Sequence, residues 1–395
     1  MSLNFDNTEI AFSLKNNFEL KRANFLFSFM AKPLLTKIGI SFTQLAFKLY
    51  FPIKGLIKNT IFKQFCGGET LIEANETALK LSQYNVSVIM DYGVEGKSDE
   101  TEFEKTTNIF LQTIKFASDK PYIPFVSLKV TGFCRIELLE KINAEILLTK
   151  EEEQEFERFQ QRVDSICYCA TQYQKKILID AEESWIQQPV DDITNKMMAK
   201  YNKEQVVVYN TFQLYRHDRY AYLKESHQMA IKNGYLLGAK LVRGAYMEKE
   251  RKRAVEQNYT SPIQATKEDT DKDYNLSLQY CVDHLDQISL FIGTHNEQSC
   301  MLATTLIAQR GFQPNHPHIC FSQLYGMSDN ISFNLAKEGF QVSKYLPYGP
   351  VEEVIPYLMR RAQENTSVAG QTGRELGLIQ KEMKRRKLHK STQTG

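Results

Sequence analysis

The stretch LLGAKLVRGAY, residues 236–246, decides how this chain folds. From Leu236 to Val242 it is apolar except for Lys240, and it turns polar at Arg243 and opens at Gly244. A strand with one face in water alternates apolar and polar residues, whereas an unbroken run fits a strand buried on both faces, as in a parallel sheet covered by helices. Seven other runs share the pattern: VSVIMD (86–91), IPFVSLKV (123–130), KILIDAE (176–182), QVVVYNTF (205–212), ISLFIGT (288–294), HICFSQL (318–324) and QVSKYLPYG (341–349). Helical patterns separate them. The clearest begins at Thr149, which forms a capping-box signature with Glu152, and continues through Phe156, Phe159, Val163, Ile166, Ala170 and Tyr173 at spacings of three and four.

Eight strands alternating with helices over roughly residues 86–365 match the ~250-residue size of a (β/α)8 barrel. A doubly wound open sheet is the alternative, and the barrel is the preferred reading. The expected organisation is a helical N-terminal arm over 1–85, a barrel over 86–370 and a basic tail over 371–395. The polar segment 249–275 reads as a long insertion after the fifth strand, and loops of that length are more often lids than spacers.

Composition narrows the function without naming it. With 42% apolar residues in 395 the chain buries a large core, and 49 basic against 47 acidic residues implies no broad nucleic-acid surface. Seven cysteines, an odd number without CxxC spacing, argue against a disulfide framework or a zinc knuckle and for a reducing compartment. The N-terminus lacks a basic start followed by an apolar run, and its acidic residues disfavour a transit segment. The apolar stretch IGISFTQLAFKLYFPIKGLI (38–57) is broken by Gln44, Lys48, Pro52 and Lys54. It falls short of the ~20 apolar residues of a spanning helix. The expectation is a soluble or peripheral protein, cytoplasmic or at the periphery of a bacterial inner membrane, with the mitochondrial inner membrane as its eukaryotic counterpart.

In a barrel of this type, chemistry sits where strands run into their helices. Those positions are polar here: Asp91 with Glu95 beyond, Lys129, the trio Asp180, Glu182 and Glu183, then Gln213 and Tyr215. Thr294, His295 and Asn296 follow the sixth strand, Gln323 and Tyr325 the seventh, and Tyr345 and Tyr348 belong to the eighth. PYLMRRAQEN (356–365) then supplies Arg360, Arg361 and Glu364 on a helix that Pro356 is expected to kink or restart. Each residue has an ordinary reading as well. Arg360 and Glu364 make an i,i+4 ion pair, Asp180 and Lys129 a structural pair at the barrel top, Gly244 a bulge, and His295 a buried hydrogen-bonded ring. Location gives the set its weight. Two guanidiniums about 100° apart on one helix suit a small carboxylate gripped from two sides.

The motifs SLKV, IDAEE, FQLY, KLVRGAY, THN, YLPYG and YLMRRAQEN, in this order and at these strand ends, resemble those of the proline dehydrogenase family. The resemblance implies a distorted (β/α)8 barrel holding FAD at the strand C-termini, with the final helix over the barrel mouth. It implies oxidation of L-proline to Δ1-pyrroline-5-carboxylate, with electrons passed to a membrane quinone, expected peripheral membrane association, and a pyrroline-5-carboxylate dehydrogenase downstream. By that resemblance Arg360, Arg361 and Lys129 hold the proline carboxylate, and Asp180 is the active-site aspartate close to Lys129. Tyr345 covers the proline ring, and Tyr246 and Leu324 form further walls. For the flavin, Gln213 resembles the donor near the isoalloxazine, and Arg243, Gly244, Ala245, Thr294, His295 and Asn296 resemble the pyrophosphate and ribityl contacts. Glu364 resembles the adenosine contact. Lys240 stands where many bacterial members have arginine near the flavin N5. Within FSQLYGM, Ser322 and Gln323 are both candidates for a family glutamine position.

Three alternatives stay in view. They are a 4-hydroxyproline dehydrogenase, a barrel lyase using Lys129 as Schiff-base nucleophile with Asp180 as proton shuttle, and a non-catalytic flavin or membrane-docking protein. The tail LGLIQKEMKRRKLHK (376–390), with Leu376, Ile379 and Met383 beside a basic cluster, suits docking on an anionic membrane or a solvated helix end.

Overall fold

A computed structural model of the chain describes residues 3–32, 39, 54–93, 99–367 and 371–392, with the side chains of 363–367, 371–372 and 388–392 outside it. All eight apolar runs form strands: β1 (Val86–Tyr92), β2 (Phe125–Leu128), β3 (Lys176–Ile179), β4 (Val208–Gln213), β5 (Leu237–Val242), β6 (Ile288–Gly293), β7 (Ile319–Leu324) and β8 (Val342–Tyr348). They close in sequence order into a barrel, and the paired registers from β1 through β7 are all parallel. The barrel rather than the open sheet is therefore the fold.

The helices used below are α1 (Asn17–Met30), α2 (Leu71–Ser82), α3 (Glu100–Ala117), α4 (Ile136–Asn143), α5 (Lys150–Gln172), α6 (Gln187–Tyr201), α7 (Arg219–Asn233), α8 (Met247–Glu256), α9 (Lys267–Asp283), α10 (Glu297–Gln309), α11 (Asp329–Lys337), α12 (Val351–Ser367) and α13 (Gln371–Thr392). The chain divides into two compact units. One comprises Met1–Val88, Gly93–Glu95 and Gln323–Gly395, and the other Ile89–Tyr92 and Gly96–Ser322.

In the second unit, inward side chains from alternate strands form one aromatic layer. Phe125 of β2, Tyr209 of β4 and Phe291 of β6 meet edge to face at centroid distances of 6.0, 5.1 and 6.4 Å. Alternate strands fill a layer because neighbouring strands are staggered around a tilted barrel. The Tyr209 hydroxyl reaches Ser289 at 2.8 Å, so the layer's polar atom is partnered. On the outside, α5 carries the expected capping box at Thr149 and Glu152. Phe159, Val163, Ile166 and Ala170 are buried as the spacing predicts, but Phe156 is half-buried and Tyr173 is 38% exposed. The helix turns Arg162 inward instead, where it binds Glu104 at 2.7 Å and Glu100 of α3. Ion-pair partners on a neighbouring helix are invisible to hydrophobic spacing.

The segment 249–275 is not a structureless insertion. Most of it belongs to α8 and α9, the latter capped by Thr266, whose side chain accepts from Asp269 N. The connection between them is pinned: Gln264 N donates to Tyr215 O at 2.7 Å and His217 N to Pro262 O at 3.1 Å. High polarity in helices whose outer faces meet water is enough to mimic a loop in a sequence.

In the first unit, α1 begins at a capping box formed by Asn16 and Glu19. Its Leu20, Ala23, Leu26 and Phe27 share one buried cluster with Val354, Tyr357 and Leu358 of α12 and with Leu378 and Ile379 of α13. Leu376 and Met383 pack against the same cluster. Leu376, Ile379 and Met383, the apolar residues offered for membrane docking, thus pack within this unit. Two of the tail's cations are engaged too: Arg386 donates to Phe12 O at 2.9 Å and to Lys15 O at 2.8 Å, and with Arg385 it grips the fully buried Glu382.

A buried ionic group ties this unit together. Lys344 of β8, wholly inaccessible, lies 2.8 Å from Asp329, whose other oxygen meets Lys15 at 2.9 Å. Burial pushes the Asp329 carboxyl up, but Lys15 and Lys344 outweigh it and hold the group down at about 2. Glu375 of α13 accepts from Ser328 N at 2.9 Å. Replacing Asp329 by Asn leaves two buried cations short of counter-charge. It is expected to lower the unfolding free energy by about 3–5 kcal/mol in urea titrations, and a loss below about 1 kcal/mol would contradict this account.

Candidate active site

Within the second unit the strand ends converge on a chain of polar contacts. Lys240 points inward from β5 at the level of its register partner Phe291 and donates to Asp180 Oδ1 at 2.6 Å. β4 lies between β3 and β5, so this reach crosses the barrel's interior rather than its wall. Lys240 is 6% exposed. The sequence paired Asp180 with Lys129; the structure shows Lys240 as an ionic partner of Asp180 that the sequence did not pair with it.

Lys129 is half-buried at the start of a 3-10 turn over Val130–Gly132 that follows β2. Two bonds fix the turn to the chain after β3. Asp180 N donates to Leu128 O at 2.9 Å, and Thr131 N donates to Glu182 Oε1 at 3.1 Å. Thr131 Oγ1 adds a bond to Glu182 Oε2 at 2.6 Å. Burial pushes the Glu182 carboxyl up to about 7, even though the Thr131 bonds and the charge of Lys129 pull the other way.

Gln213, at the end of β4, spends its side chain on the protein. Its Nε2 donates to Glu182 O at 2.7 Å and its Oε1 accepts from Ala245 N at 3.2 Å, joining the ends of β3, β4 and β5. The glycine of VRGAY is explained by the fold. Gly244 has φ +140°, and a Cβ there would lie 2.5 Å from the ring of Tyr215. The position is needed for Tyr215 to pack beneath it, and the backbone of Gly244 and Ala245 is left exposed above.

Arg243 holds the next group. Its guanidinium donates to Asp271 of α9 at 2.7 Å, to Thr294 at 2.8 Å and to Ser299 of α10 at 2.9 Å, and it lies over the Tyr274 ring at 4.3 Å. Thr294 Oγ1 also accepts from Asn296 N at 3.1 Å, and Asn296 caps α10 by accepting from Ser299 N at 3.0 Å. His295, between them, is half-buried. Asn296 therefore works first as a helix cap, a role its place three residues before Ser299 advertises. Tyr246 is half-buried at the start of α8, with the Lys249 ammonium 5.6 Å from its ring. That helix is locked down by Glu250, fully buried, which accepts from Ser184 N and Oγ at 2.6 Å each.

Within the first unit, Tyr345 of β8 is 9% exposed and its carbonyl accepts from Tyr325 N at 2.9 Å. Leu324, at the end of β7, is half-buried against the hydrophobic cluster. Gln323 is buried with its Oε1 accepting from Ser332 at 2.7 Å, while Ser322 belongs to the other unit. α12 runs through Pro356 as one helix, so the expected restart does not occur. Proline at the sixth helical position removes only one early backbone bond. Arg361 is 8% exposed with its guanidinium 5.2 Å from the Tyr357 ring, and Arg360 is half-buried. The side chain of Glu364, like residue Glu95, lies outside the described residues.

Sequence reasoning missed Thr131, Asp271, Ser299 and Glu250, each polar, each serving another polar group from a distant segment. Only Glu182 carried a visible signal, as a member of the IDAEE run.

Against known proteins, residues 74–374 match the profile of a family described as proline dehydrogenase. Proline dehydrogenase 1, mitochondrial, from Dictyostelium discoideum is 35% identical over 379 residues, covering 85% of this chain and 66% of its own length. Carbapenem antibiotics biosynthesis protein CarD from Pectobacterium carotovorum subsp. carotovorum is 33% identical, with 84% of this chain and 86% of that protein covered. Hydroxyproline dehydrogenase from Xenopus laevis is 30% identical, covering 95% and 88%. Among solved structures, proline utilization A from Bdellovibrio bacteriovorus inactivated by N-propargylglycine superposes with a TM-score of 0.71 at 18% identity. That match covers 92% of this chain and 36% of the other, and it supports the fold.

Two outcomes are expected from this geometry. Gly244→Ala forces a Cβ into Tyr215 and strains the backbone, so the purified protein should lose thermal stability; a wild-type melting temperature would refute the packing argument. An acid whose folded pKa is raised binds its proton more tightly when folded. The stability Glu182 gains from protonation is therefore complete below about pH 4.5 and lost as pH rises through about 7. Glu182→Gln should flatten the fall in stability between those values, as read from urea midpoints across pH.

Proposed function

Because the chain belongs to the proline dehydrogenase family, we propose that it oxidises L-proline to Δ1-pyrroline-5-carboxylate with FAD and passes the electrons to a membrane quinone. The observation that carries the substrate reading is the adjacent pair Arg360 and Arg361 on α12, of which Arg361 is 8% exposed and stacked on Tyr357. A guanidinium is worth burying where a planar carboxylate will face it.

The residues assigned to FAD suit it chemically. Arg243 stands beside the N-terminus of α10, where the first helical amides favour a diphosphate. The exposed backbone of Gly244 and Ala245 admits close approach. Gln213, Lys240, Arg243, Gly244, Ala245, Thr294, His295, Asn296 and Glu364 would hold the cofactor. When bound, FAD supplies the two-electron acceptor for the hydride equivalent that leaves the substrate.

The chain's own residues do the rest. Arg360 and Arg361, with Lys129 as a third cation, bind the carboxylate and so fix the ring. Tyr345, Leu324 and Tyr246 wall the ring. Asp180 holds the Lys240 ammonium at 2.6 Å. The substrate nitrogen must lose its second proton before its lone pair can assist, so turnover rises with pH to a plateau. Family membership favours this oxidation over the Schiff-base lyase chemistry of Lys129.

The 30% identity to a protein named hydroxyproline dehydrogenase keeps 4-hydroxyproline as a second reading. Tyr345 in place of a smaller residue favours proline, and the two substrates at equal concentration discriminate between them. The product suits a pyrroline-5-carboxylate dehydrogenase downstream. A relative named as mitochondrial favours the mitochondrial inner membrane as the site of the quinone, with the bacterial membrane periphery as the alternative. Among the described residues no helix is long and apolar enough to cross a membrane.

Adding L-proline to anaerobic holoprotein is expected to bleach the flavin absorbance, and an unchanged spectrum would overturn the reaction. Arg361→Met should raise KM for proline by roughly 30-fold or more with flavin retained, the equivalent of about 2 kcal/mol of lost carboxylate binding. An unaltered KM removes Arg361 from the clamp.

A further inference from the structure

Lys129 lies between the end of β2 and a short turn. It opens a three-residue 3-10 turn, where Gly132 N donates to Lys129 O at 3.1 Å and Phe133 N to Val130 O at 2.9 Å. A three-residue turn is short, and contacts from outside it help to fix its conformation. Glu182 supplies such a contact. Its carboxylate takes both donors of Thr131, backbone at 3.1 Å and hydroxyl at 2.6 Å, and the side chain is 3% exposed. Its backbone is fixed on both sides: N donates to Gln187 Oε1 at 2.9 Å and O accepts from Gln213 Nε2 at 2.7 Å. Gln187 in turn donates to Asp191 at 3.0 Å, which is paired with Arg219 at 2.6 Å, so the anchor extends into α6 and α7. The other end of Gln213 receives Ala245 N at 3.2 Å.

We propose that Glu182 is a positioning residue for the reaction: by holding Thr131 through both carboxylate oxygens it sets the turn that presents Lys129, and through its backbone it keys that turn to Gln213 and Ala245. An acid places one oxygen against each of the two Thr131 donors; a glutamine side chain offers one oxygen and adds an NH2 that clashes with a donor. The proposal rests on Lys129 serving the substrate carboxylate.

The test uses full-length holoprotein carrying Glu182→Gln, Thr131→Val, Thr131→Ser, or Glu182→Gln with Thr131→Val. Cyclopentanecarboxylate, a proline isostere without the ring nitrogen, reports carboxylate binding through the flavin spectrum, and amide hydrogen exchange over 129–133 reports the turn. Glu182→Gln is expected to raise KM for proline and the dissociation constant for cyclopentanecarboxylate together by about 10-fold, with kcat changed less than about 3-fold, flavin retained and exchange over 129–133 accelerated. Thr131→Val follows in the same direction, Thr131→Ser restores wild-type values, and the double variant is no worse than Glu182→Gln, as one shared contact requires. Wild-type KM, probe affinity and exchange in Thr131→Val overturn the proposal even if Glu182→Gln fails to fold. A lowered melting temperature with KM and probe affinity unchanged also overturns it, since that is what a purely structural residue would show. A wild-type protein whose flavin proline does not reduce overturns the reaction instead, and exchange together with probe binding still decides whether Glu182 sets the turn.

Discussion

Parallel strands covered by helices bring eight chain ends to one rim, and every polar group there must be partnered by another from the protein or by a ligand. Polar atoms withdrawn from water cost several kcal/mol each if left alone, so the rim becomes a chain of mutual obligations. Asp180 takes Lys240 from across the interior, Glu182 takes Thr131, Gln213 joins Glu182 to Ala245, and Arg243 spans Asp271, Thr294 and Ser299. The arrangement fixes charged groups at the strand ends, and the hydrophobic layers below contribute the stability that such polar networks do not.

The same economy recurs in the other unit, where Lys15, Asp329, Lys344 and Glu375 bring the N-terminal arm, β8 and α13 to the chain after β7. Gln64 reinforces that junction by donating to Gly326 O at 2.8 Å. Buried ion pairs of this kind add specificity of arrangement more than free energy. The arm and the C-terminal helix therefore share one function, which is to hold α12 and the Leu324 to Tyr345 region in place. It also explains why the tail has apolar and basic residues side by side without needing a membrane: Ile379 packs inward while Arg386 reaches the backbone of the arm.

Much of the architecture was legible in the chain. Eight apolar runs became eight strands in order, and the capping box at Thr149 started a helix where expected, because burial on both faces and local capping are properties of neighbouring residues. What misled was local polarity without its context. The segment 249–275 read as a long polar loop although it is mainly helix, and Pro356 read as a kink or restart although one helix runs through it without restarting. Gly244 read as space for a ligand, and the structure adds a packing reason in the ring of Tyr215. In each case the deciding partner is far along the chain.

The sequence by itself determined the strands, their order, and the family to which the motifs belong, since each depends on residue type at short spacing. Only the tertiary structure decided who holds whom: that Asp180 answers to Lys240, that Glu182 secures Thr131, and that Asn296 caps a helix. Hydrogen bonds and ion pairs reach about 3 Å in space but are indifferent to separation along the chain, so their pairing exists only once the barrel has closed.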